Sequence, residues 1–96
     1  MRVDSGSRPI IGGNTGQNTL SVTAEVVMAA RVGRFRTTIL NMDSAITVWV
    51  GYSSGVSATT GFRLQAGESK DFYGEAALYA VAASGTPTIC YAEEWS

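Results

Sequence analysis

The chain has 96 residues, enough for one domain, and its low charged fraction of 16% beside 45% apolar residues predicts that partners cover part of its surface. Seven basic and eight acidic residues give a net charge of -1, which argues against nucleic acid or a membrane surface as a partner. Histidine is absent, so the commonest general base and metal ligand is missing, and we predict no enzyme, no catalytic residue, no cofactor and no metal site.

The N-terminal residues 1–18 are rich in glycine, serine and asparagine, a composition that predicts a flexible, extended arm. They lack the apolar segment of a signal peptide, and nothing in the chain is long enough for a membrane span, so synthesis in the cytoplasm is expected. Within the arm, Arg8, Ile10 and Ile11 flank Pro9 and are candidate contacts to a partner. The alternative is a terminus without structure.

Two alternating segments follow, at residues 19–30 and 34–41, separated by a short interruption. Each places apolar side chains on one face and polar side chains on the other. We predict a β-hairpin in which Phe35 lies opposite Met28.

Arg34 and Arg36 are two residues apart in the second of these segments, so they are expected to project together from its outer face. Their guanidinium groups are candidates for paired hydrogen bonds to carboxylates of a partner. The alternative is an exposed pair that water screens.

The next segment, residues 45–52, is rich in β-branched and aromatic residues and has no clearly polar face, because Trp49 points away from Val48 and Val50. We therefore predict a strand whose outer face is covered. A long glycine-rich connection with one short strand at residues 62–64 is expected next.

Three further strands are predicted at residues 68–73, 77–83 and 86–93, separated by glycine-containing turns. Residues 19–96 thus form one all-β domain, an antiparallel, jelly-roll-like β-sandwich of six to eight strands. The lone Cys90 has no partner for an internal disulfide and is expected to be buried as a small apolar residue.

Three aromatic residues, Trp49, Tyr52 and Trp95, are candidates for a platform on which sugar rings could stack. The alternative is that they form the sandwich core or a subunit interface. The acidic residues show no spacing that would bring six oxygens together around a calcium ion.

The order of short motifs between residues 46 and 92 resembles a module of small virion proteins of tailed phages, namely head-decoration proteins and tail-associated domains. The motifs are V-x-V-G, then V-S-A-T-T-G, then L-x-A-G-E-S, then L-Y-A-x-A-A-S-G-T, and together they cover about half of the chain. The resemblance implies a jelly-roll or related β-sandwich, often trimeric, fixed on a capsid or tail surface.

From this resemblance we expect a non-enzymatic structural virion protein, a capsid decoration or cement protein that binds the major capsid protein or another virion protein as a homotrimer. The alternative is a tail-associated module that binds a receptor or a glycan. Both functions are compatible with the same sandwich fold.

Overall fold

The computed structural model describes residues 12–96, which form eight β-strands and no helix. No helix that could span a membrane is therefore present in this part of the chain. The strands are β1 (Gly12–Thr19), β2 (Glu25–Met28), β3 (Arg34–Asn41), β4 (Val48–Gly51), β5 (Phe62–Leu64), β6 (Ser69–Tyr73), β7 (Leu78–Ala82) and β8 (Thr88–Trp95).

The eight strands form two four-stranded antiparallel sheets, which we call sheet A (β1-β8-β3-β6) and sheet B (β2-β7-β4-β5). Every connection between consecutive strands crosses from one sheet to the other, except the loop between β4 and β5. This strand order is that of two interleaved Greek keys, as in an eight-stranded jelly roll. The predicted all-β antiparallel sandwich is confirmed.

The core lies between the sheets and is built from the inward-facing alternate residues of each strand. In sheet B, Val48 and Val50 of β4 are almost fully buried, while Trp49 between them faces outward. The remaining core side chains are Leu20, Val27, Met28, Ile39, Leu64, Phe72, Leu78, Ala80, Ala82 and Ile89.

The corner at which the chain leaves sheet A after β3 is held by Asn41, whose side chain is completely buried. Its Nδ2 donates to the carbonyl oxygens of Ile46 at 2.8 Å and Leu64 at 3.0 Å, and its Oδ1 accepts a hydrogen bond from the Asp43 N–H. One amide therefore joins the end of β3 to the start of sheet B and satisfies buried backbone groups.

The predicted hairpin of residues 19–30 and 34–41 is wrong. Met28 lies opposite Leu78 of β7, in sheet B, whereas β3 pairs with β6 and β8 in sheet A. A register shift between Val26 and Met28 buries both Val27 and Met28, so the apparent alternation did not describe one regular strand. Periodicity identified apolar segments here but could not assign their partners.

The prediction of an arm over residues 1–18 needs correction for residues 12–18, which belong to β1 and pair with β8 along their whole length. None of the β1 side chains is apolar, and the strand is held by backbone pairing and by two rings of β8. Trp95 packs over Gly12 and Tyr91 over Gly16, where no room for a Cβ atom remains. The remainder of the predicted arm, with Arg8, Ile10 and Ile11, lies outside the described residues.

Candidate functional site

The outer face of sheet B carries an apolar surface, formed by alternate residues of β2, β4 and β7 and by the segment that precedes β2. Trp49 lies opposite Val81 on one side and Arg63 on the other, and Val26 lies opposite Tyr79. We call this surface the sheet B face; its apolar members are Val22, Ala24, Val26, Trp49, Tyr79 and Val81. Val22 and Val26 remain 62% and 53% exposed.

A depression of about 400 Å³ lies within this face, over Trp49 and Val81, and its walls are mainly alanine and valine. It contains no charged residue. Charges occur only on the two edge strands of the sheet, Glu25 on β2 and Arg63 on β5. Arg63 lies opposite Trp49 on this face, whereas Glu25 lies opposite the inward-facing Ala80, so the face is an apolar area with a charge at one margin.

Trp49 is partly covered by the loop between β4 and β5, not left open. Val56 of that loop is only 6% exposed, and a Cβ atom built on Gly61 would lie 2.7 Å from both the Trp49 Cβ and the Val56 Cγ2. The predicted cover over Trp49 thus comes in part from the chain itself.

A second feature lies between the edge strands β5 and β6, on the open side of the sandwich. We call it the aromatic slot, and it is formed by Tyr52, Phe62 and Phe72. Tyr52 and Phe62 both meet Phe72 edge to face, with ring centroids 6.4 Å and 6.1 Å apart, and Phe72 is nearly buried. Tyr52 and Phe62 are about half exposed, and the slot between them has a volume of about 340 Å³. The Lys70 Nζ lies 4.6 Å from the centroid of the Phe62 ring.

The structure separates the three predicted platform residues. Tyr52 lines the slot, Trp49 lies under its own loop, and Trp95 is in sheet A, where the Arg31 guanidinium stacks on its ring at 4.0 Å. The sequence reasoning missed Phe62 and Phe72. One signal was available in the sequence: Phe62 and Leu64 are two residues apart in a short strand, so both are expected on its inner face. Leu64 is buried there, whereas Phe62 lies at the open edge of the sandwich and stays exposed.

The expectation that Arg34 projects outward is wrong, since its side chain is 1% exposed. Its guanidinium donates to the carbonyl oxygens of Ala29 at 2.8 Å, of Gly74 at 3.3 Å and of Ala76, and lies 3.5 Å from Glu93 Oε1. A register shift between Arg34 and Arg36 turns the two side chains to opposite faces of sheet A. Arg34 therefore joins two loops to β8.

Glu93, the buried partner of Arg34, also receives Arg31, whose Nε lies 3.2 Å from Oε1. A small cavity of about 250 Å³ adjoins this cluster, lined by Met28, Ala29, Ala30, Arg31 and Glu93. Each charged group here is already paired within the chain, so the cluster serves to hold the β2–β3 turn against β8.

Arg36 does face outward, but its partner is in the chain. It donates from Nε to Glu94 Oε1 at 2.6 Å, and Arg36 and Glu94 are also paired through Nη2. The hydrogen bond to Glu94, followed by the attraction of that carboxylate, raises the pKa of the Arg36 guanidinium above its ordinary value. The same outer face carries a half-buried Cys90 opposite Gln17 and Leu40.

Residues 12–96 contain no group of three acidic, cysteine or histidine side chains that could hold a metal ion. Two apolar or aromatic surfaces of the described residues stay accessible, the sheet B face and the aromatic slot. Their chemistry is that of binding other molecules through apolar and aromatic area.

No protein-family model matches the chain, and no curated protein matches its sequence. Among solved structures, the stem and receptor-binding domain of the spike protein P1 from bacteriophage PM2 is similar, with a TM-score of 0.64 and 14% identity over 85% of this chain. This chain spans about one third of that spike chain, 33%.

A second similar structure comes from Bacillus endospore appendages, described as a novel family of disulfide-linked pili. It has a TM-score of 0.53 and 19% identity, and covers 100% of this chain and 96% of that one. At these identities the likeness establishes a shared fold.

Proposed function

We propose that the chain is a non-enzymatic structural protein of a phage particle, a decoration protein that sits on the head surface as a homotrimer. The observation that carries the proposal is the sheet B face, an apolar surface whose two central strands, β4 and β7, contain no charged residue. The resemblance of residues 46–92 to small virion proteins supports it, and so does the fold shared with a phage spike domain.

Copies of this chain are the proposed occupants of the sheet B face. Its centre is neutral and apolar, and the opposite charges Glu25 and Arg63 lie on opposite edges of the same sheet. A cyclic arrangement would bring the Glu25 edge of one copy towards the Arg63 edge of the next, which favours a closed ring over a face-to-face dimer.

Contact with the major capsid protein is assigned to the N-terminal residues, with Arg8, Ile10 and Ile11 as the docking side chains. A trimer presents three such segments, and attachment at several points raises the effective affinity of each. The particle is accordingly the proposed location of the protein.

The test is occupancy on purified particles that carry full-length variants, measured by quantitative mass spectrometry and located by electron microscopy. Replacing Ile10 and Ile11 with serine should lower occupancy, since the apolar contacts are lost, whereas Val3→Ser should not. Density on the tail instead of the head, or unchanged occupancy with both isoleucines replaced, would reject the decoration role.

A receptor-binding or glycan-binding module remains a second candidate, and the aromatic slot specifically favours it. Two half-exposed rings flank a slot of about 340 Å³, and the Thr60 hydroxyl and Lys70 ammonium lie at its border. Sugar rings commonly pack their apolar faces on aromatic side chains while their hydroxyls bond to polar neighbours.

Glycan-array binding with single alanine variants separates this candidate from the first. Tyr52→Ala and Phe62→Ala should each abolish a glycan signal, whereas Tyr73→Ala removes an equally large ring, 67% exposed, that lies outside the slot. If the unmodified protein binds no glycan, or if all three variants bind equally, the second candidate is eliminated.

A further inference from the structure

The outer edge of β1 differs from the other three sheet edges of the sandwich. It is eight residues long, with the sequence GGNTGQNT, and has no charged residue and no proline. No described strand pairs with that edge, because β1 is the terminal strand of sheet A. A long edge of this kind is a template for pairing with another chain.

The other three edges carry the features that normally prevent such pairing. Strand β2 is four residues long, begins with Glu25 and contains a register shift. Strand β5 is three residues long and carries Arg63, and β6 carries Lys70 and Asp71. The unprotected edge of β1 is therefore an exception within this molecule.

Strand β1 is also firmly placed on its other side. It pairs with β8 over eight consecutive residues, and the rings of Trp95 and Tyr91 fill the space above Gly12 and Gly16. Asn18 additionally donates from Nδ2 to the Val27 carbonyl oxygen of sheet B at 3.2 Å. The free edge is thus presented in a fixed geometry, which lowers the entropic cost of pairing.

The residues whose backbone groups point to the free edge follow from one hydrogen bond. Leu20 and Pro87 continue the β1–β8 register by one pair beyond Thr19 and Thr88, and the Leu20 N–H donates to the Pro87 carbonyl oxygen at 2.8 Å. Leu20 is therefore a position whose backbone groups hydrogen-bond towards β8. Bonded and non-bonded positions alternate along an antiparallel pair. The even-numbered residues of β1 therefore face β8, and Gly13, Thr15, Gln17 and Thr19 direct their N–H and C=O groups outward.

We propose that this edge binds the β1 strand of a second copy, antiparallel, about a two-fold axis at Gly16. In that register Thr15 lies opposite Gln17 of the other copy and Gly13 opposite Thr19, so every outward group finds a partner. Neutral side chains meet across the axis, without the repulsion that like charges would cause. Sheet A then continues from one copy into the next.

This contact is independent of the sheet B face, because it uses backbone groups of the other sheet. In the proposed trimer it would join one trimer to a neighbour on the particle surface. If the trimer does not form, the edge contact still gives a dimer, so failure of one proposal leaves the other testable.

A proline at Thr15 is the most selective disruption. It removes an N–H that points away from β8, leaving the β1–β8 hydrogen bonds in place, and proline is tolerated on edge strands for this reason. In sedimentation analysis over a concentration series, Thr15→Pro should weaken the edge association at least tenfold while the melting temperature stays near that of the parent. Asn14→Pro is the matched contrast, because it breaks the β8 ladder and should lower the melting temperature.

A cysteine pair tests the register without relying on proline. In the Cys90→Ser background, chains with Thr15→Cys and chains with Gln17→Cys are mixed under mild oxidation. The Cys90 replacement is needed because Gln17 and Cys90 are neighbours within one chain. Opposed strand residues lie within the Cα separation that a disulfide spans, so a linked heterodimer should appear in the mixture.

Three results would overturn the proposal: equal sedimentation of the parent and Thr15→Pro, a disulfide yield no higher in the mixture than in either chain alone, or a parent that never associates through this edge.

Discussion

Two arginine–glutamate pairs lie close together on β3 and β8, and they play opposite roles. Arg34 and Glu93 are 1% and 4% exposed and face the interior, whereas Arg36 and Glu94 are 37% and 27% exposed on the outer face of sheet A. The buried pair fixes the β2–β3 and β6–β7 loops against β8, whereas the outer pair of Arg36 and Glu94 only links two side chains on the surface. Burial of the carboxylate, not the presence of a pair, decides the energetic role.

The largest effect should come from the buried pair. Arg34→Met removes four hydrogen-bonding contacts and leaves Glu93 with only Arg31, so we expect a loss of about 3–5 kcal/mol in the free energy of unfolding. Chemical denaturation with circular dichroism measures it.

The double variant Arg34→Met with Glu93→Leu sharpens the interpretation. Because it also removes the buried Glu93 carboxylate, which Arg34→Met leaves with Arg31 as its one partner, it should recover part of the stability that Arg34→Met loses. A double variant that is less stable than the single one would contradict this expectation and show that Glu93 still stabilises the fold through Arg31.

Arg31 should have an intermediate effect. It is 43% exposed, but its carboxylate partner is the buried Glu93, and its guanidinium also stacks on Trp95. Arg31→Ala should cost about 1–2 kcal/mol in the free energy of unfolding. A loss as large as that of Arg34→Met would contradict the separation of the two arginines by burial.

The smallest effect should come from the outer pair. Both partners are in contact with solvent, so Arg36→Ala should change the free energy of unfolding by no more than about 1 kcal/mol. The difference from the parent should shrink further as salt is added, since ions screen surface pairs. Thermal melting at low and high ionic strength checks both statements, and a large, salt-independent loss would argue against them.

Seven of the eight strands fall within or close to segments that alternation and turn residues predicted, because burial of one strand face leaves a period of two in the sequence. The eighth strand, β1, was not predicted because its sequence contains only glycine and polar residues and shows no apolar alternation. It is held in place by the rings of Trp95 and Tyr91 of β8, which pack over Gly12 and Gly16. Composition alone therefore suggested an arm.

The sites were harder to predict than the strands. The side to which Arg34 points depends on a register shift, and the aromatic slot depends on the proximity of β5 and β6 from different sheets. Both are tertiary features, because local alternation gives the face on which Phe62 lies but not its neighbours in the other sheet. Trp49 was correctly placed on the face opposite Val48 and Val50, since that follows from alternation alone.

The most direct test of the central claim, that the sheet B face joins copies of this chain, is the molar mass in solution by light scattering. In the Thr15→Pro background, which removes the edge contact, we predict three times the chain mass of 10.1 kDa. Adding Val26→Glu should reduce it to a single copy, whereas adding Val32→Glu, at a turn residue that is 91% exposed, should not. A single-copy mass before either glutamate is introduced would contradict the account.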